Sequence, residues 1–461
     1  MYKVSFNGEI LLAECGETLS SVMMRYGKGA EHPCGGRGVC GKCRVYVNGN
    51  EELSCRYRIT SDIDVEAYGT DKKSEDDYEK AVDGECCFVL DIGTTTLALA
   101  LVSIAEKRII KTVTSLNSQR VFGADIISRI DYCTKNSAEK LQKVLIDEIN
   151  NMTAKFKGCK ADKLYVSANT TMLHILFGED CSPLGVAPYE PVFLEGRCVA
   201  AQTIGIAGVS AVETLPCVAS FVGADIVAGM NLVGMPSEGK YSLLIDLGTN
   251  AEIVLMNKNG SVSTSAAAGP CFEGACISCG MGAVSGAICA YSDGKATTVD
   301  GAEAIGICGT GLIDAVAYML DKGIIDSSGY MECEQIELAE GVYITQADIR
   351  QYQLAKSAVY SAVMALVKYI AITPDDIETV YISGGFSTGI CIESAIKTGL
   401  LPGEFKNKCV ALDNSSLLGT VKYATGKNDL EAVTQKTKYI DLSADAFFSD
   451  MFIENMIFKI D

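Results

Sequence analysis

The 461-residue chain is short of proline, histidine and positive charge, and it has no long apolar run. With only 9 Pro, no low-complexity tract and 48% hydrophobic residues, an extended or disordered chain is excluded. No stretch reaches the roughly 18 apolar residues of a membrane span, so no spanning helix is expected. The opening "MYKVSFNGEILLAECGETL" lacks a basic segment followed by an apolar core. No secretory signal is therefore expected, and a cytoplasmic location is. Lys and Arg number 39 against 58 Asp and Glu, a formal net charge of −19. Such a surface repels a phosphate backbone, which argues against nucleic acid as a partner. It is equally the surface of an ordinary soluble protein. Of the two histidines, His174 lies in the apolar "TTMLHILF" and reads as a core residue, while His32 directly precedes a Gly/Cys loop. A chain this long exceeds one core and implies two or three domains.

Cysteine, by contrast, is abundant. Twenty cysteines without a secretion signal imply a reducing compartment and mostly free thiols. Three fall in "HPCGGRGVCGKC" (32–43) and a fourth in "ELSCR". From Gly36 the loop nearly matches a phosphate-binding pattern, but Cys43 stands where Ser or Thr would reach magnesium. A nucleotide loop is therefore not expected there. Cys34, Cys40, Cys43 and Cys55 have the spacing C-x5-C-x2-C-x11-C. Four thiolates suit a 2Fe–2S cluster or a zinc ion. Glycines at 35, 36, 38 and 41 let the chain wrap tightly and leave N–H groups free for sulfur, which favours the cluster.

The loop sits in a module of its own. "MYKVSFNG" alternates like a strand and ends in an Asn-Gly turn, and "EILLAE" returns. "TLSSVMMRYG" fits a short helix closed by Gly27, and "CRVYVNG" reads as a later strand. Residues 1–70 thus form a small β-rich domain with one helix. Residues 71–85, "DKKSEDDYEKAVDGE", read as an acidic linker. A second group, Cys271, Cys276 and Cys279, has C-x4-C-x2-C spacing but no obvious fourth ligand, and reads as packed thiols.

Beyond Cys86 a theme repeats. "CFVLDIGTTTLALALVSI" is strand, Gly/Thr turn, strand, and "KRIIKTVTSL" is a third strand. "ADIISRIDYC" and "AEKLQKVLIDEINNMTAKF" read as helices. "YSLLIDLGTNAEIVLMNKNGSVSTSAA" repeats the three-strand pattern, with Asp91 and Asp246 lying 155 residues apart. A duplication of this size implies two like-folded subdomains with a cleft between them. A Gly/Thr turn offers N–H groups and hydroxyls to phosphate, and an Asp at the preceding strand end can hold Mg²⁺ through water. "VYISGGFS" places Gly384 and Gly385 after a third buried strand, where an adenosine can lie against backbone.

These motifs carry resemblances. Residues 1–70 resemble a plant-type ferredoxin, which implies an α+β, β-grasp domain with a 2Fe–2S cluster on Cys34, Cys40, Cys43 and Cys55. The x5 first gap is similar to the adrenodoxin-like branch, and the x11 last gap to the iron–sulfur subunit of succinate dehydrogenase. The repeated turns resemble the superfamily of acetate and sugar kinases, heat-shock chaperone ATPases and actin. That resemblance implies a duplicated, RNase H-like α/β ATPase in two subdomains, 86–240 and 241–425, with a C-terminal extension, 426–461, packed on it. It also implies a phosphate-1 loop at Asp91, Gly93, Thr94, Thr95 and Thr96, and a phosphate-2 loop at Asp246, Gly248, Thr249 and Asn250. Gly384 and Gly385 match the adenosine motif, and Asp91 and Asp246 are the implied catalytic carboxylates, with ATP and Mg²⁺ as ligands.

The chain as a whole resembles the reductive activators of corrinoid proteins. The resemblance rests on "NSQRVFGADIISRI" (117–130), "SANTTMLHILFG" (167–178), "PYEPVF" (188–193), "GPCFEGACISCGM" (269–281), "ICGTGLIDAV" (307–316), "ITQADIRQYQLAKSAV" (344–359) and "DNSSLLGT" (413–420). It implies an ATP-hydrolysing iron–sulfur enzyme of anaerobes that reduces a cob(II)alamin protein to cob(I)alamin by one electron. The implied partners are a corrinoid protein or corrinoid methyltransferase and an upstream low-potential electron donor, with no nucleic acid or membrane; a homodimer stays open as the assembly. Two rival readings are an electron-donating activator of a 2-hydroxyacyl-CoA dehydratase and a redox-linked small-molecule kinase. A third is an ATP-binding scaffold with a structural zinc.

Overall fold

The computed structural model describes residues 1–6, 9–26, 44–67, 85–123, 125–156, 161–385 and 387–459. The Asn7-Gly8 turn, Gly27, His32, Cys34, Cys40, Cys43 and positions 71–84 of the acidic segment lie outside the described residues. By spatial grouping, the described residues of 1–81, 271–319 and 331–349 form one unit. Those of 82–270, 320–330 and 350–461 form another.

In the first unit, alternating burial builds a five-stranded mixed sheet. Leu11 is buried between exposed Ile10 and Leu12, as the two-residue period of a one-sided strand requires. Tyr2–Phe6 pairs antiparallel with Glu9–Ala13 and parallel with Ile63–Ala67, and Arg44–Val47 joins Asn50–Leu53 to the far side. Helix Leu19–Arg25 buries Leu19, Val22 and Met23 against Val4, Leu11, Val45 and Val65. The same unit carries a three-stranded sheet (Ala287–Ser292, Lys295–Thr298, Gly306–Ile307) and the hairpin Gln335–Ala339/Val342–Thr345. Cys271 and Cys279 are buried, and Cys276 is exposed at positive φ. Among the described residues, no group of three His, Cys, Asp or Glu side chains stands close enough to hold a metal ion. No helix among them is long and apolar enough to cross a membrane.

The second unit contains two six-stranded sheets of like plan. In each, a three-strand antiparallel meander is extended by parallel strands, with Cys198–Ala200 added antiparallel at the edge of the first. The first runs Cys198–Ala200, Ala211–Thr214, Ala161–Ala168, Cys86–Ile92, Thr96–Ser103, Arg108–Leu116. The second runs Cys409–Ala411, Ile377–Ser383, Tyr241–Leu247, Ala251–Asn257, Gly260–Ala266, Thr437–Tyr439. The central strands are apolar almost throughout because both faces are covered. Along Cys86–Ile92, Phe88, Leu90 and Ile92 face one core while Cys87 and Val89 face the other.

Two helices exchange sheets. Ser415–Gly426 follows the second sheet's edge strand, yet Leu417, Val421 and Ala424 pack with Val89, Ala100 and Val102 of the first. Ala224–Val233 places Val227 and Ala228 in the first core and Ile226 and Met230 against Leu244, Val254 and Met256 of the second. They touch at Gly419, where a Cβ would stand 1.8 Å from the Ala228 carbonyl oxygen. Only a glycine permits this approach, and Asn231 Nδ2 donates to the Gly419 carbonyl at 2.9 Å beside it. The C-terminal helix Ala446–Glu454 is followed by buried Phe458. There Lys356, buried and pushed down to about 7 by desolvation, donates to the Asn455 and Ile457 carbonyls.

Candidate functional site

The two Asp-Gly-Thr turns occupy equivalent places in the two sheets. Asp91 lies near the end of Cys86–Ile92, opposite Ser167 on its parallel neighbour. Asp246 lies near the end of Tyr241–Leu247, opposite Ser383 on its own parallel neighbour. The start of one helix joins these points. Ser416 Oγ bonds Ser167 Oγ at 2.8 Å, and Ser415 Oγ bonds Ser383 Oγ at 2.5 Å. Consecutive serines thus reach the corresponding serine of each sheet. Ser416 also donates to Asp91 Oδ1 at 2.8 Å. Asn414 caps the helix by accepting from Leu417 N–H at 2.8 Å and donates through Nδ2 to Asp91 Oδ2 at 2.9 Å.

The first turn is closed by the Gly93 N–H, which donates to the Thr96 carbonyl at 3.0 Å, and it leaves Thr95 and Thr96 exposed. Asn169, the cap of helix Thr170–Phe177, reaches Thr94 Oγ1 at 3.4 Å. In the second turn the Gly248 N–H donates to the Asn250 carbonyl at 2.9 Å, and Gly248, Thr249 and Asn250 are half-buried. Gly384 follows strand Ile377–Ser383 with φ +112°, and a Cβ there would meet the Leu247 carbonyl oxygen at 2.1 Å. The backbone therefore lies directly on the second turn. Gly385 is exposed, with nothing within 4 Å of a built Cβ. The sequence-expected residues of this set thus converge, and the four cluster cysteines are represented among the described residues by Cys55 alone.

These glycines give a separable expectation. Gly384→Ala should cost about 3 kcal/mol or more, because it combines a disfavoured φ with a backbone clash. Gly385→Ala should cost under about 0.5 kcal/mol. Denaturant titration of the two variants checks this, and equal losses would contradict the geometry.

Two further carboxylates stand here that the motif reading missed. Asp225 opens helix Ala224–Val233, and Glu252 sits directly across from Asp246 on the neighbouring antiparallel strand. The signals were present: an acid among small and apolar residues in "GADIVAG", and a lone acid in "AEIVLM". Burial, then repulsion from Asp246, pushes the Asp225 carboxyl up to about 7. The same causes, with Asp225 added, hold Glu252 well above the ordinary range. Burial raises Asp91 too, opposed by its bonds from Ser416 and Asn414. These carboxylates do not stand close enough together to ligate a metal ion directly, but a hydrated divalent cation, met through its water shell, would offset their repulsion.

Because Asp225 is raised in the folded state, its proton stabilises the fold fully below about pH 4, and that stabilisation is lost as pH rises through about 7. The nucleotide-free protein should therefore lose on the order of 2–4 kcal/mol from this group across that window. Asp225→Asn should flatten this part of the profile. Thermal melts of both proteins at a series of pH values check it, and identical profiles would contradict it.

His174 is fully buried and stacked on Phe193 at 4.4 Å. Its Nδ1 bonds the Thr170 carbonyl at 2.8 Å and its Nε2 accepts from Val192 N–H at 3.0 Å. Both ring nitrogens are engaged, as for a core histidine.

Fold and site together define a two-lobed ATPase of the actin-like class. The model of the C-terminal domain of RACo, an ASKHA domain, matches residues 240–461, and that of the RACo middle region matches 86–238. The corrinoid activation enzyme RamQ of Eubacterium limosum is 30% identical over 416 residues, covering 80% of this chain and 69% of that one. The [Co(II) methylated amine-specific corrinoid protein] reductase of Methanosarcina barkeri is 28% identical, covering 76% and 72%. A solved structure titled reductive activator for corrinoid, iron–sulfur protein superposes with a TM-score of 0.74 at 26% identity, covering 99% of this chain and 98% of that one. The chain belongs to the RACo family of corrinoid-protein activators.

Proposed function

We propose that the protein is an ATP-dependent reductive activator that passes one electron to a corrinoid protein, converting its cob(II)alamin to cob(I)alamin. The observation that carries this reading is the stitch between lobes. Asp91 of the first sheet is held by Asn414 and Ser416, while the adjacent Ser415 holds Ser383 of the second. A nucleotide with Mg²⁺ between Asp91, Asp225, Asp246 and Glu252 would thereby bias the relation of the lobes. In this reading Asp91 and Asp246 hold the hydrated cation. Gly93, Thr94, Thr95, Thr96, Gly248, Thr249 and Asn250 offer N–H groups and hydroxyls to the phosphates, and Gly384 and Gly385 give the adenosine a bare backbone surface.

Residues 1–70 are read as a β-grasp ferredoxin domain, 71–85 as a linker, and 86–240, 241–425 and 426–461 as two ATPase subdomains and an extension. Cys34, Cys40, Cys43 and Cys55 would hold a 2Fe–2S cluster, which would supply one electron at about −400 mV, the order typical of plant-type ferredoxins. The described residues fit it at one point: Cys55 is buried, and beside it Ser54 Oγ is buried with no hydrogen-bond partner among the described residues, a donor available to a thiolate. For an acceptor about 0.2 V lower, one electron costs about 5 kcal/mol. A ligand that prefers one of two conformations by about 10⁴-fold supplies a similar amount. Nucleotide-driven change of state is therefore large enough to drive the step.

The test is to mix anaerobically reduced protein, MgATP and a cob(II)alamin-loaded corrinoid protein and follow the cob(I) absorbance. Cob(I) formation is expected. Its absence with every corrinoid protein tried, together with phosphorylation of a small metabolite, would favour the kinase instead.

A further inference from the structure

The segment 117–130 carries part of the resemblance, yet no chemistry above uses it. Its place in the fold gives it one. The first turn presents three successive carbonyls, and all three are taken from behind by this segment. Asn117 Nδ2 donates to the Gly93 carbonyl at 2.9 Å, Arg129 Nη2 to the Thr94 carbonyl at 2.6 Å, and the Asn117 N–H to the Thr95 carbonyl at 2.9 Å. In a planar trans peptide the C=O and the next N–H point in opposite directions. Fixing the Gly93 and Thr94 oxygens therefore turns the Thr94 and Thr95 N–H groups to the other side. Among the described residues, none accepts from those two N–H groups.

The clamp is itself rigidly held. Arg129 is fully buried. Its Nε donates to the Gly123 carbonyl at 3.0 Å, and its Nη1 donates to Gln119 Oε1 at 3.2 Å and to Met172 Sδ at 3.4 Å. Gln119 is fixed in turn by donating to the Leu141 carbonyl at 2.9 Å, while its N–H donates to Asn117 Oδ1 at 3.0 Å. Among the described residues, each hydrogen-bond acceptor of the guanidinium is uncharged, and Asp125 acts on it only through its field. A desolvated cation hydrogen-bonded only to neutral groups is costly in a core. Burial pushes it down to about 10, so it stays charged at neutral pH. Its charge therefore lies directly behind a turn whose free N–H groups face away from it, the arrangement that favours an anion on the open side.

We propose that Arg129, with Asn117, is a positioning residue for the nucleotide's phosphate chain: the pair clamps the Gly93–Thr95 carbonyls and so aims the Thr94 and Thr95 N–H groups at the phosphates. The inference rests on the ATP reading of this site.

The test compares MgATP with adenosine, which lacks the phosphates, by calorimetry, and measures kcat and KM for ATP hydrolysis. The variants are Arg129→Lys, Arg129→Ala with and without added guanidinium, and Asn117→Asp. The last keeps the acceptor for Gln119 N–H but faces a carboxylate to the Gly93 carbonyl. Arg129→Lys and Asn117→Asp should lower kcat/KM for ATP by about tenfold to a hundredfold, as a displaced binding group does. Adenosine affinity should stay within about twofold, and guanidinium should restore part of the activity of Arg129→Ala. Folded variants with wild-type ATP parameters, or equal losses for ATP and adenosine, would overturn the clamp. So would failure of both Arg129→Lys and Asn117→Asp to fold, which would mark the segment as plain core. A wild-type protein that binds no MgATP would overturn the nucleotide reading itself, and the clamp with it.

Discussion

Asp246→Ala is expected to lower ATP turnover by about 10²- to 10³-fold, the usual loss when one charge-stabilising group leaves a preorganised site. Asp246 stands at the end of a buried strand, facing Glu252 across one neighbour and Ser383 across the other. Its charge also contributes to the raised carboxyls of Asp225 and Glu252. Removing it should relax that repulsion, so the fold should hold or gain stability while the hydrated cation loses a charged partner. Loss of activity with retained or raised thermal stability is the signature. Asp91→Asn should lose activity to a similar extent for an added reason. The carboxylate accepts from both Asn414 and Ser416, and an amide puts its NH₂ against one of those donors. Measured phosphate release within about threefold of wild type in either variant would contradict the assignment. In both, the visible spectrum of the iron–sulfur cluster should be unchanged, since the proposed cluster ligands lie in residues 1–70.

Cys43→Ala should abolish the cluster. A 2Fe–2S centre needs four thiolates, and loss of one opens an iron to solvent. Wild-type protein purified without oxygen should carry about two irons and two labile sulfides per chain. Cys34→Ala, Cys40→Ala and Cys55→Ala should behave like Cys43→Ala, whereas Cys276→Ala should keep the full spectrum. The contrast is informative because both groups share the C-x2-C element and differ in what surrounds it. Cys276 is exposed, and its group has no obvious fourth ligand in the sequence. Iron near zero in wild-type protein with one bound zinc would favour a structural metal. About four irons, with the spectrum lost in Cys276→Ala, would favour the dehydratase-activator reading.

Much of this was legible along the chain wherever the determinants are local. The three strands from Cys86 to Leu116, and those from Tyr241 to Ala266, announce themselves by apolar runs broken at Gly/Thr and Asn-Gly turns. The two aspartates follow from the repeat of the turn. What was not legible depends on partners far apart in sequence. The bond from Asn414 to Asp91 joins residues 323 positions apart, and the helix that carries it packs on the sheet it does not follow. No window of sequence encodes that exchange, although Gly419 marks where it happens. Gly384 and Gly385 are alike in sequence, yet only the first meets a neighbouring carbonyl. Asp225 and Glu252 look like ordinary polar punctuation until the strands and helix bring them beside Asp246. The "NSQRVFGADIISRI" stretch was visible as a pattern, but its chemistry was hidden because its key acceptors are backbone carbonyls of another segment.

Nucleotide control of electron transfer is tested most directly by stopped-flow absorbance of the corrinoid partner, with reduced protein at fixed donor potential, with and without MgATP. A ferredoxin domain alone needs no ATPase, and a metabolic kinase needs no cluster, so the union proposed above would let nucleotide state govern where the electron goes. Cob(I) should accumulate only when MgATP is present. Equal rates and equal final cob(I) in the two conditions would contradict it.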